Sequence, residues 1–267
     1  MHFDNLLFVL AMYLALGIGA GFLSGVLGAG GGLIMVPGLI FLFQWESMNP
    51  KIVMHVAVGT SLAAMIPVAL RSLTSHMKHN VPFYPIYKKM APGIIIGVIT
   101  GGVLAHYIRS HNLQIIFGVF VFVMALTLLH ERKKKQCENL PGLIGMSLAG
   151  GFVGVQSGML GIAGSAFSVP FLTYRGVLMH TAVVVSVAIA VTVSVLGAVT
   201  FILTGMHAVG LPHWSTGYVY WPAWLGLGMG GVFVAPLGAK LSHCISARKL
   251  KFFFAVFLFC VSAKMLL

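Results

Sequence analysis

The chain has 267 residues, of which 59% are hydrophobic and only 7% are charged, and its formal net charge is +12. Because a soluble domain carries about 25% charged residues, this composition excludes an ordinary water-soluble fold and predicts an all-α, polytopic membrane protein. Lys and Arg cluster between apolar runs, as in cytoplasmic loops of membrane proteins, so no nucleic-acid partner is expected. The three cysteines show no metal-ligand spacing, so we expect no metal and no cofactor.

Apolar segments follow one another along the whole chain. In the first half they are predicted at residues 5–28, 31–44, 54–74, 90–108 and 112–130. In the second half they are predicted at residues 142–160, 164–175, 180–204, 218–238 and 250–266. A membrane-spanning helix needs about 20 residues, so the second segment of each half is short. We therefore expect one short or broken helix in each half.

The two halves repeat three sequence blocks in the same order. GAGGGLIMVP (28–37) matches GIAGSAFSVP (161–170), and MHVAVGTSLAA (54–64) matches MHTAVVVSVAI (179–189). The block from 101 to 122 likewise matches that from 238 to 259. Such internal similarity indicates duplicated structural units. We predict a first repeat at 1–130, a basic cytoplasmic linker at 131–141 and a second repeat at 142–267.

The basic residues predict how the segments cross the membrane. If all ten segments cross and the RKKK run (132–135) is cytoplasmic, every Lys and Arg lies inside except Lys51, Arg109 and Lys264. If both short segments turned back, the basic residues from 175 to 251 would move outside. The positive-inside rule favours full crossing. An odd number of crossings in each half then makes the repeats inverted, with both termini outside the cytoplasm.

Each short segment begins at a glycine-rich break, which predicts an anion site. The break residues are Gly28, Gly30, Gly31 and Gly32 in the first half, and Gly161, Gly164 and Ser165 in the second. The start of a helix offers free N–H groups and a partial positive charge, and inversion would bring the two starts together near the bilayer centre. None of the four acidic residues lies within an apolar run, which disfavours a cation path. The alternative is that small residues only allow close helix packing.

Other polar residues in the apolar segments are candidates for the same site. Thr60 and Ser61 on the third segment, Ser186 on the eighth and Gln156 near the second break could bind the anion. The alternative is that such hydroxyls bond their own helix carbonyls and that the glutamine finds a protein partner. His55 and His180 occupy matched positions and could carry protons or act in gating, although a histidine at a helix end more often caps it.

The paired breaks, with AVGTS (57–61) downstream of the first, resemble those of the sulfite exporter TauE/SafE family of membrane transporters. The resemblance covers essentially the whole chain. The second half departs from the pattern, because Ser165 replaces a glycine and Val184-Val185 replace Gly59-Thr60. The resemblance implies transport of sulfite, sulfonates or related oxyanions across the bacterial inner membrane.

These features together predict a secondary transporter, not an enzyme, that moves a small anion by alternating access. The expected partners are the anion, membrane lipids and, as one option, further copies of the chain. Two alternatives stay open at this point. They are an anion channel with the same site and a membrane scaffold subunit that transports nothing.

Overall fold

The computed structural model describes residues 3–27, 31–77, 82–129, 140–241 and 247–266. The described helices of the first half are α1 (Phe3–Leu27), α2 (Gly32–Trp45), α3 (Val53–Met77), α4 (Tyr84–Tyr107) and α5 (Ser110–Leu129). Those of the second half are α6 (Leu143–Leu160), α7 (Ser165–Tyr174), α8 (Met179–Gly205), α9 (Trp221–Leu241) and α10 (Ala247–Leu266). A two-residue antiparallel hairpin, β1 (Ser215–Thr216) and β2 (Val219–Tyr220), joins α8 to α9.

The all-α prediction is confirmed, and the helices follow the predicted segments with two differences. Helix α4 was predicted from residue 90 and begins at Tyr84, because Pro85 is tolerated in a first helical turn and the polar Lys88 and Lys89 continue the same helix. The hairpin before α9 was not predicted. Residues 131–139 of the predicted linker lie outside the described residues, and the domain boundaries stay a prediction.

Five described helices are long and apolar enough to cross a membrane. The spans are Val53–Ser75, Tyr84–Tyr107, Ser110–Thr127, Leu143–Leu160 and Met179–Gly205. The short helices α2 and α7 have 14 and 10 residues, as the breaks before them predicted. At 1.5 Å per residue they are about 21 and 15 Å long, which is less than the hydrocarbon thickness of about 30 Å.

Glycines bring two pairs of helices from different halves into close, parallel contact. A Cβ placed on Gly21 of α1 would lie 2.7 Å from the Cα of Gly231 on α9. A Cβ placed on Gly101 of α4 would lie 2.9 Å from the Cα of Val155 on α6. In the repeat, α1 corresponds to α6, and α4 corresponds to α9. The contact of α1 with α9 is therefore the repeat equivalent of the contact of α6 with α4. This is close packing of backbones through small residues, as the alternative explanation of the glycines expects.

Two further pairs join each helix to its own counterpart and run antiparallel. On α3 and α8, a Cβ at Gly197 would lie 2.8 Å from Leu62, while Gly59 faces Phe201. On α5 and α10, the Ser262 hydroxyl donates to the carbonyl of Gly118 at 2.9 Å. A helix that lies antiparallel to its own counterpart is what inverted repeats require. The inversion of the halves across the membrane stays a prediction.

Candidate functional site

The second break is a true interruption between α6 and α7. Helix α6 ends at Leu160, and Gly161 and Gly164 adopt left-handed φ angles of +72° and +74°. The Gly161 N–H donates to Ser157 O at 3.0 Å, and the Gly164 N–H donates to Ile162 O at 2.7 Å. Because side chains with a Cβ rarely adopt this conformation, glycine suits both positions. The second predicted break is therefore confirmed as a structural feature.

The first break is described only from Gly31 onward. Gly28 and Gly30 lie outside the described residues, so their predicted role stays a prediction. Gly31 is the N-cap of α2, and its carbonyl accepts from the N–H of Ile34 at 3.0 Å and of Met35 at 2.9 Å. Pro37 lies inside α2 without ending it.

The two breaks contact each other in the interior. A Cβ placed on Gly32 would meet the carbonyl of Gly161 and come within 2.9 Å of the Cα of Ile162. The Ser61 hydroxyl of α3 donates to the same Gly161 carbonyl at 3.3 Å. These groups are buried. The start of α2 therefore packs directly on the backbone of the second break. At this contact there is no room for a side chain between the two segments.

Among the described residues, polar groups at the start of α7 have no protein partners. Gly164 gives α7 no side-chain cap, and the first N–H groups of any helix lack partners within the helix. The Ser165 hydroxyl is only 3% exposed and finds no hydrogen-bond partner among the described residues. Ser168, one turn later, instead donates back to Gly164 O at 2.9 Å. The result is a buried cluster of hydrogen-bond donors at the positive end of a helix.

The other predicted ligands are placed differently. Thr60 uses its hydroxyl oxygen to accept from the N–H of Tyr220 at 3.0 Å. Ser186 donates to Val183 O of its own helix at 2.7 Å, which is the local alternative. Gln156 lies partly buried on α6. Of the predicted polar ligands on the long helices, the structure thus brings only Ser61 directly onto a break, and ligand roles for the others stay predictions.

The paired histidines occupy unlike environments. His55 is buried, and its Nε2 donates to the carbonyls of Ala105 at 3.0 Å and Ile108 at 3.1 Å, so it caps the end of α4. Its Nδ1 has no partner among the described residues. His180 is exposed in the first turn of α8. The structure therefore gives His55 a capping function, and proton transfer or gating by either residue stays a prediction.

The hairpin before α9 is a buried element that the sequence did not reveal. Residues 217–220 are buried between α3 and α8, and the Tyr218 N–H donates to Phe201 O at 3.2 Å. The Tyr218 ring stacks on His55 with a centroid distance of 5.1 Å. Because Tyr220 is also held by Thr60, the hairpin covers α3 one residue away from Ser61.

The sequence also missed a carboxylate contact at the far end of α2. Glu46 caps the C-terminus of α2, and the hydroxyl of the buried Tyr13 on α1 donates to its carboxylate. In the sequence, Glu46 was only one of the four acidic residues that lie outside the apolar runs. No sequence signal joins it to Tyr13, because the contact arises only when α2 folds back antiparallel to α1.

A cavity of about 380 Å³ lies beside α2, away from the breaks. It opens between α2 and α10, and its polar lining comes from Gln44, Gln114 and Lys264. The Lys264 ammonium lies 4.1 Å from the Phe41 ring centroid. None of the described break glycines, nor Ser165, lines this cavity.

Comparison with known proteins shows the family to which the chain belongs. The sulfite exporter TauE/SafE family profile matches residues 13–265, which include both breaks and both short helices. The chain belongs to the TauE/SafE family. It is a multi-pass membrane protein with a role in transport. Its relatives are likewise described as probable membrane transporter proteins.

The relatives match over nearly their full lengths. A probable membrane transporter protein of Haemophilus influenzae is 32% identical over 95% of this chain and 97% of its own length. A probable membrane transporter protein of Methanocaldococcus jannaschii is 24% identical over 94% of this chain and 92% of its own length. YfcA of Escherichia coli, with the same description, is 28% identical over 83% of this chain and 79% of its own. No solved structure gives a significant match.

Proposed function

We propose that this TauE/SafE protein is a secondary transporter that moves a small anion across the bacterial inner membrane by alternating access. The anion is a sulfur oxyanion or an organosulfonate. It binds at the start of α7, next to the contact of Gly32 with the second break. Both termini lie outside the cytoplasm in this proposal.

The observation that carries the proposal is the Ser165 hydroxyl. It belongs to the first residue of α7, which is 3% exposed, and it has no hydrogen-bond partner within the described part of the chain. The break beside it holds two left-handed glycines. A buried polar group without a partner costs about 1–3 kcal/mol, so such a group is retained where a ligand can satisfy it. The donor hydroxyl, the free N–H groups and the helix dipole all favour a negatively charged ligand.

The surroundings support an anion over a cation. No Asp or Glu occurs from 31 to 37 or from 157 to 170, the segments that form the described parts of the two breaks. A cation in this interior would need carboxylate or carbonyl ligands, whereas Gly161 O is already used by Ser61. The sulfur chemistry comes from the family alone, since helix termini and a hydroxyl bind any small oxyanion.

Alternating access is supported by the direct contact of the two breaks. Gly32 rests on Gly161 and Ile162, so this conformation is closed at the proposed site. Separation of α2 from the second break, first toward one face and then toward the other, would expose the donors in turn. A channel with the same site would instead need a continuous path past this contact. A scaffold subunit would leave the buried Ser165 hydroxyl unexplained.

Uptake into proteoliposomes tests the proposal. We expect the purified protein to take up radiolabelled sulfite, thiosulfate or 2-hydroxyethanesulfonate with saturation. Replacing Ser165→Ala removes a hydrogen bond to a charged group, worth about 1.5–3 kcal/mol, and should weaken the apparent affinity roughly 10- to 100-fold. The control is Ser262→Ala, because Ser262 is an equally buried serine that joins α10 to α5 far from the breaks.

Three outcomes would contradict the proposal or part of it. Equal affinities in the wild type and Ser165→Ala would remove the site from α7. Uptake that rises linearly with concentration would favour the channel. No uptake of any of the three anions, and no heat of binding, would favour the scaffold.

A further inference from the structure

Glu46 lies at the negative end of α2, where an acidic side chain is unfavourable. The last carbonyls of a helix carry a partial negative charge, which repels a carboxylate and attracts a cation. The last turn of α2 contains no basic residue. Glu46 is nevertheless kept partly buried there and receives a hydrogen bond from the Tyr13 hydroxyl of α1. Such a position favours the protonated carboxyl over the carboxylate.

The groups that face Glu46 do not neutralise it. Within the described part of the chain, the titratable groups around it are Tyr13 from α1 and Tyr220 from β2, and both are phenols. Their rings form an edge-to-face cluster with Phe43, with centroid distances of 6.1 Å for Tyr13–Phe43 and 5.8 Å for Phe43–Tyr220. Lys51, in the next loop, is exposed. No ion pair of Glu46 with Lys, Arg or His occurs within the described residues.

Burial acts in the same direction as the helix end. It raises the pKa of the Glu46 carboxyl above its usual value, and the hydrogen bond from Tyr13 only partly opposes this. The carboxyl therefore takes up a proton closer to neutral pH than a solvent-exposed glutamate does. Tyr13 donates to the carboxyl in either state, so the contact between α1 and α2 can persist through a protonation cycle.

Two physical connections join Glu46 to the proposed anion site. The first is α2 itself, which runs without interruption from Gly32 at the second break to the carboxyl. The second runs through Tyr220, whose ring packs on Phe43 and whose N–H is bound by Thr60, the neighbour of Ser61. Any movement of α2 that opens the break must also move Glu46 against Tyr13 and Tyr220.

We propose that Glu46 is a proton-binding site that couples proton movement to anion transport. The inference rests on the proposed function, because it assigns the coupling ion of that same transporter. A proton binds the carboxyl from one side of the membrane, travels with the movement of α2 and leaves to the other side. Neutral Glu46 allows the end of α2 to stay buried while an anion occupies its start.

Proton-driven accumulation in proteoliposomes tests the coupling. Thiosulfate and 2-hydroxyethanesulfonate are the probes, because their own charge does not change around neutral pH. With one proton moved per monovalent anion, a gradient of about one pH unit, acid outside, should accumulate 2-hydroxyethanesulfonate about tenfold. Glu46→Gln should abolish this accumulation. It should retain counterflow, the exchange of labelled for unlabelled anion at equal pH, within about twofold of the wild type. Lys51→Gln, which removes an exposed charge from the loop after α2, is the control and should behave like the wild type in both assays.

Proton release and uptake give a second readout. In weakly buffered detergent solution, binding of 2-hydroxyethanesulfonate to the wild type should take up protons, which a pH-indicator dye reports. Glu46→Gln should bind the anion without this uptake. Tyr13→Phe removes only the hydrogen bond that stabilises the carboxylate, so it should keep proton uptake and move its midpoint to higher pH.

The outcomes separate this inference from the proposed function. Wild-type counterflow without any accumulation by the pH gradient would overturn the role of Glu46 and leave the transporter intact. Proton coupling that survives in Glu46→Gln would overturn it too, and so would loss of counterflow in a folded Glu46→Gln protein. Absence of wild-type counterflow with every anion would contradict the proposed function itself.

Discussion

The two short helices follow one plan and differ at both ends. The N-cap of α7 is the left-handed Gly164, and the next hydroxyl, that of Ser165, has no partner among the described residues. The C-cap of α7 is Arg175, a cation that suits the negative end of a helix. The N-cap of α2 is Gly31, in an ordinary right-handed conformation, and its C-cap is Glu46, whose charge opposes the same dipole. In the proposed mechanism the two repeats have different roles. The second half would supply the donors for the anion, and the first half would supply the group that takes up a proton.

The largest effect is expected from a substitution that disrupts the contact between the two breaks. Gly32→Ala puts a methyl group against the Gly161 carbonyl and the Cα of Ile162, and neither backbone can yield cheaply. Overpacking of this kind costs about 1–3 kcal/mol, so we expect a lower melting temperature and loss of most anion uptake. Gly19→Ala is the matched control, since a Cβ there meets nothing within 4 Å. Unchanged uptake in Gly32→Ala would show that the breaks need not close on each other.

A smaller effect is expected when a residue of the first half is replaced by its counterpart from the second half. Thr60 holds Tyr220, whereas the matching residue of the second half is Val185. Thr60→Val leaves the Tyr220 N–H buried without its acceptor, at a cost of about 1–3 kcal/mol. We expect faster hydrogen exchange in the 215–220 hairpin than in the wild type. Thr100→Val, on the exposed side of α4, should leave the exchange of the hairpin unchanged.

The smallest expected effect concerns the end of α7. Arg175→Gln removes a favourable charge at the helix terminus, worth about 0.3–1 kcal/mol. The melting temperature should fall by only a few degrees, and anion affinity should stay within about twofold of the wild type, because Arg175 lies at the opposite end of α7 from Ser165. A large loss of affinity would mean that Arg175 itself takes part in anion binding.

The sequence predicted the helices well because hydrophobic length and glycine-rich breaks are local signals. The start of α4 was misplaced, since Lys88 and Lys89 interrupt the apolar pattern without interrupting the helix. The break at Gly161 and Gly164 could be predicted because its left-handed backbone requires glycine, and glycine is visible in the sequence.

The polar contacts could not be predicted, because they join residues far apart in the chain. Thr60 was predicted as an anion ligand, and the contact of its hydroxyl with the Tyr220 N–H was not foreseen. Ser186 bonds its own helix, and ligand roles for both residues stay predictions. Glu46 was passed over because it lies outside the apolar runs, yet the fold places it against Tyr13. Local patterns reveal where a helix stops, whereas the partner of a buried polar group depends on which helices pack side by side.

The most direct test of the central claim is to locate a bound anion. Anomalous diffraction from crystals grown with 2-bromoethanesulfonate would mark the bromine and thereby place the sulfonate. We expect the sulfonate at the start of α7, within hydrogen-bond distance of the Ser165 hydroxyl. A sulfonate found only in the cavity beside Lys264, with Gly32 still seated on Gly161, would contradict this expectation.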